Sequence, residues 1–152
     1  MAQPYELIGC PPHVTAVRED FERFLSEIET CGIGRIELLF GFAWANDIYP
    51  GDWEPQWLSA AEIRRVVSEA ETRELGAIGS DDLFLTIPEL ASQRQYCHEA
   101  DIHLESQAPS AYTESVKRDW IVRGWTVRER TGRDWRVVCN SPGGPNHPQE
   151  GA

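Results

Sequence analysis

No run of this sequence approaches the roughly 18 consecutive apolar residues that a membrane-spanning helix needs. Its opening residues, Met1-Ala2-Gln3-Pro4-Tyr5-Glu6, lack the basic segment and apolar stretch of a secretory leader, so a cytoplasmic location is expected. None of the cysteines, at 10, 31, 97 and 139, belongs to a Cys-x-x-Cys pair. They read as reduced thiols, mostly in the core, and not as a disulfide framework or a zinc ribbon. Basic residues are short against acidic ones: 14 Lys and Arg face 25 Asp and Glu, a net charge of −11. A field of that sign repels nucleic acid and anionic membrane and draws in a basic partner. The deficit lies before residue 110, and residues 111–140 are net basic.

Motifs of the common chemistries are missing as well. There is no P-loop, no Gly-x-Ser-x-Gly, no dinucleotide-binding glycine loop and no kinase set. Gly32-Ile33-Gly34 is too short for a phosphate loop and closes a helix where such a loop would open one. These absences weigh against an enzyme.

What is present is enough for a globular domain: 152 residues, 41% of them hydrophobic and 10% aromatic. One domain is expected over residues 1–140, followed by a disordered Pro/Gly-rich tail at 141–152. Pro4, Gly9, Pro11 and Pro12 mark residues 1–13 as an irregular lead-in. Val17, Phe21, Phe24, Leu25 and Ile28 form one apolar stripe of a helix, with Asp20 among the wet positions and Gly32 as its left-handed cap. Residues 35–44 alternate as a strand covered on parts of both faces, and Gly41 marks a bulge or a close backbone approach. Ser59-Ala60-Ala61-Glu62 is a capping box that opens a second helix, ended by Gly76. A third helix starts at Ser110 or Thr113 and ends at Gly124, and a hairpin follows with Trp125, Val127, Trp135 and Val137 inward. The expectation is an α+β fold, a mainly antiparallel sheet of about five strands with three helices mostly on one face.

The stretch from Asp81 to Leu104 reads as two strands, 83–87 and 94–104. On the second, Glu99, Asp101 and His103 share one face at i, i+2 and i+4, while Cys97 and His98 point apart. Successive members of such a face lie about 7 Å apart, so all three could share a divalent ion only if the strand bent. Carboxylate and imidazole donors together suit zinc, manganese or iron. A charged face of this kind is also what an ordinary edge strand carries.

Two functions follow. The favoured one is a small acidic domain that binds a basic protein, such as an immunity or antitoxin-type inhibitor, acting as a monomer or small homo-oligomer without a cofactor. Its contact residues would be Asp47, Asp52, Trp53 and Trp57 of the aromatic loop 45–58, with Asp81 and Asp82. The alternative is a small metal-dependent hydrolase that uses Glu99, Asp101 and His103.

Overall fold

The computed structural model describes residues 3–44 and 53–139. The elements run β1 (Tyr5–Cys10), α1 (Val14–Thr30), β2 (Ile36–Phe40), β3 (Gln56–Leu58), α2 (Ala60–Thr72) and β4 (Leu83–Ile87). A short 3-10 turn (Pro88–Leu90) leads to β5 (Ser92–Tyr96), β6 (Ile102–Ser106), α3 (Ala111–Val122), β7 (Thr126–Thr131) and β8 (Asp134–Cys139). All eight strands join one antiparallel sheet in the order β3-β2-β4-β5-β6-β1-β7-β8. The described residues form an α+β fold with three helices, and the expected five strands become eight. No helix among the described residues is long and apolar enough to cross a membrane.

The three additional strands have separate causes. In the lead-in the prolines flank β1 and leave its ladder intact. Gly9 lies inside it because Trp120 crosses the backbone there, and a Cβ at Gly9 would meet that ring at 2.6 Å. β3 is three residues long, too short to show a period, and pairs Trp57 with Glu37 of β2. The segment 94–104 is two strands joined by a turn.

Which face each strand buries follows from the ladders. Gly9 pairs with Ile102 and Ile102 with Tyr96, so these positions share a face. Trp120 of α3 covers Gly9 and Phe21 of α1 packs edge-on against Tyr96 at 5.5 Å, which puts α1 and α3 on the same side. α2 lies beside α1, tied to it by ion pairs from Arg64 to Glu22 and from Arg18 to Glu71. The core between the helices and the sheet holds Leu7, Phe24, Leu38, Leu85, Leu104 and Val127.

Helix ends follow the sequence signals in part. Ser59 and Ser110 both sit in capping boxes, with Glu62 and Thr113 as their partners. α1 and α3 end with Gly32 and Gly124 at positive φ, and the next residue donates back to the helix, Ile33 to Ile28 at 3.1 Å and Trp125 to Trp120 at 3.1 Å. α2 ends the same way, with Leu75 donating to Ala70, but Glu74 takes the left-handed position at φ +59°. Gly76 is therefore not the cap. It is glycine because Trp44 lies against it, where a Cβ would meet the indole at 2.3 Å.

Two expected inward residues point outward. The turn at Gly132-Arg133 pairs Thr131 with Asp134, which sets Trp135 opposite Arg130 and Val137 opposite Arg128, on the face away from the helices. The cysteines are all free thiols, and only Cys97 is buried; Cys10 and Cys139 are half-buried and Cys31 is exposed. The tail at 141–152 lies outside the described residues.

Candidate functional site

The chain reverses at Cys97–Asp101. Ala100 N–H donates to Cys97 O at 3.1 Å, Cys97 N–H donates to Asp101 O at 2.9 Å, and Ala100 takes φ +60°. Three-residue hairpin loops usually put glycine at that left-handed position. An alanine there gives no turn signal, which is why the segment reads as one strand.

The reversal rearranges the expected metal face. Glu99 sits at the tip with its side chain 73% exposed and a carboxylate oxygen 3.9 Å from His98 Nε2. Asp101 and His103 come together instead with Cys97, one donor atom from each lying within 4.8 Å of the others. A second group of the same compactness holds Asp82, Cys97 and His98, so the sulfur of Cys97 belongs to both. Cys97 Sγ is 3.8 Å from His98 Nδ1, although the two residues were expected to point apart. The turn, absent from the strand reading, is what joins them.

The polar atoms are held from three sides. His103 Nδ1 meets Glu6 Oε1 of β1 at 3.0 Å, and its Nε2 faces Asp101 Oδ2 at 3.3 Å. Glu6 in turn accepts from Arg130 of β7 at 2.6 Å. Burial opposes charge on His103, but hydrogen bonds with Asp101, Cys97 and Glu6 outweigh it and push its pKa up to about 12. The hydrogen bond with His103 holds the Glu6 carboxyl below its ordinary value against burial, and Arg130 adds to this. Burial raises Asp101, yet His103 brings it below the usual range. At the other side, Asp82 Oδ1 accepts from His98 N–H at 2.8 Å and pairs with His98 Nδ1 at 2.9 Å, which raises the His98 pKa.

The proposed contact residues separate. Asp47 and Asp52 lie outside the described residues. Asp81 closes a local loop by accepting from Ala77 N–H at 2.7 Å, and Asp82 is buried. Asp82 also fixes the end of β2: its carbonyl accepts from Gly41 N–H and from Trp44 Nε1. Trp53 and Trp57 remain 57% and 49% exposed and Phe42 60%. Trp57 stands beside Glu37 on the face away from the helices, Trp53 lies 5.9 Å from the Phe84 ring, and Phe42 lies edge-on to His98 at 5.5 Å. Gly41 is the close approach that allows this, since a Cβ there would meet Phe84 at 2.6 Å. The aromatic corner and the Cys97 cluster are thus neighbours through His98.

One charged site was missed. Asp20 of α1 is buried and accepts from Arg94 at 2.9 Å, Tyr96 at 2.8 Å, Trp120 at 3.2 Å and Arg123 at 3.3 Å. Arg94 lies over the Phe24 ring at 4.3 Å. A cavity of about 310 Å3 between α1 and α3 borders this group. The signal was available: Asp20 is three residues after Val17 and four before Phe24, on the apolar stripe itself.

Comparison with protein-family models, curated proteins and solved structures found no match to this chain. The functional reading therefore rests on the chain's own chemistry.

Proposed function

We propose that this chain is a protein-binding domain that takes a basic partner on the sheet face away from its helices, as an immunity or antitoxin-type inhibitor would. One observation carries the reading: Phe42, Trp53 and Trp57 stay about half exposed or more, with Trp53 against Phe84, Phe42 against His98 and Trp57 beside Glu37 on the β3–β2–β4 side of that sheet. Large aromatics are the residues that dominate binding energy when a partner covers them. No described helix covers the corner. Glu37 beside Trp57 and Glu99 beyond His98 add negative charge there, and the net charge of −11 favours encounter with a cation-rich surface.

The test is binding of basic nuclease-type proteins from the same source to the immobilised chain, measured at several salt concentrations. Trp57→Ala should weaken the complex by about 2 kcal/mol, the scale of an interface anchor. Glu37→Lys should slow association and flatten its dependence on salt. Equal binding by wild type and both variants, or no basic protein bound by the wild type, would overturn the reading.

A further inference from the structure

The Cys97 cluster has the form of a metal site with two shells. Around one point stand a thiol, a carboxylate and an imidazole: Cys97 Sγ, Asp101 and His103, mutually within 4.8 Å. In a tetrahedral zinc site, with bonds of about 2.0–2.3 Å, neighbouring donors lie about 3.3–3.8 Å apart, so small side-chain adjustments would suffice. We infer that Cys97, Asp101 and His103 bind one divalent transition-metal ion, zinc by the softness of its donors.

The competing account is an internal charge network that needs no ion. It explains His103 between Glu6 and Asp101 Oδ2, and Arg130 on Glu6. It leaves one feature without a role. Asp101 is 9% exposed, yet its other carboxylate oxygen, Oδ1, is buried with no hydrogen-bond partner. Lone buried carboxylate oxygens cost stability unless something fills them. The buried thiol of Cys97 hydrogen-bonds with both His103 and Asp101, which sets its sulfur among the donors where two carboxylate–histidine groups meet.

The outer partners fit a metal as well. A ligating histidine usually donates its other ring N–H to a carboxylate, which fixes the ring and makes the ligand nitrogen more basic. His103 does this through Nδ1 to Glu6, leaving Nε2 on the side of Asp101. Glu6 is itself fixed by Arg130. A fourth donor is close by in the His98–Asp82 pair, whose Nδ1 is 3.8 Å from the Cys97 sulfur. The site stands independently of the docking proposal, since none of its three ligands belongs to the aromatic corner.

The experiment uses the full chain prepared without a polyhistidine tag, stripped with chelator, dialysed, and titrated with Zn2+ and separately with Co2+. About one ion per chain should bind, raise the thermal midpoint, and with Co2+ give a thiolate-to-metal charge-transfer absorption. Cys97→Ser should abolish that absorption. Asp101→Asn and His103→Gln, close in size to the originals and checked for folding by circular dichroism, should each weaken binding at least about tenfold. Glu6→Gln, acting through His103, should cost about 10–100-fold. Cys31→Ser, at the exposed thiol, should change nothing. No uptake of either ion at stoichiometric excess would overturn the inference. So would uptake that survives unchanged in Cys97→Ser and Asp101→Asn.

Discussion

Single side chains in this molecule are loaded unevenly, and Asp20 is the extreme case. Four donors, from β5, α3 and Arg123 just past the end of α3, converge on one carboxylate buried in the helix layer. Removing one member of such a set leaves the others charged and dry, which costs about 3–5 kcal/mol. Asp20→Ala is therefore expected to lower the denaturant midpoint by that equivalent, and replacing Asp20 and Arg94 together by apolar residues should recover much of it. Glu129 on β7 is a second such residue. Burial works to raise its carboxyl, but hydrogen bonds from Tyr5 and Lys117 and the Arg136 contact outweigh it and hold it below its ordinary value. Glu114 shares Lys117 from the α3 side. A carboxyl depressed in the folded state contributes stability above its unfolded value, about 4.3, and that contribution is lost as pH falls through the folded value. Glu129→Gln should flatten the loss of thermal stability below about pH 4.5 while leaving the neutral-pH slope unchanged.

At the scale of elements, what could be read in the sequence divides by the kind of signal each one carries. Helices announce themselves through period and caps, so the Ser59–Glu62 box and the Gly32 and Gly124 ends stand where the residues place them. Strands of three to six residues inside a wide sheet carry weak signals, which hid β1 and β3. The β5–β6 turn was hidden because Ala100 fills a glycine position. With it went the site, since Cys97, Asp101 and His103 are brought together by a reversal that composition does not mark. The end of α2 shows the same substitution of role, with Glu74 in the left-handed conformation and Gly76 kept free for Trp44. That conformation costs a non-glycine residue about 1–2 kcal/mol, against about 0.5–1 kcal/mol for glycine's extra freedom when unfolded. Glu74→Gly should raise stability by roughly 0.5 kcal/mol, whereas Gly76→Ala should lower it by about 1–3 kcal/mol through overpacking. Paired thermal melts of the two variants would check both signs.

Across the whole molecule, the three helices stand on one face of the sheet and leave the other open, with Trp57 and Glu37 at its β3 edge and the Cys97 cluster at the β5–β6 turn. The placement of β1 has a different kind of consequence. It lies between β6 and β7, and its Tyr5 bonds Glu129 across 124 residues of chain. During synthesis that strand stays unpaired until β6 (Ile102–Ser106) has emerged, and its second edge waits for β7 (Thr126–Thr131). Loop closure of that length comes before the contacts that reward it, so assembly of this sheet is slow for its size. The interval in which β1 is made but has no neighbours is when the nascent chain is most open to strand capture by another copy.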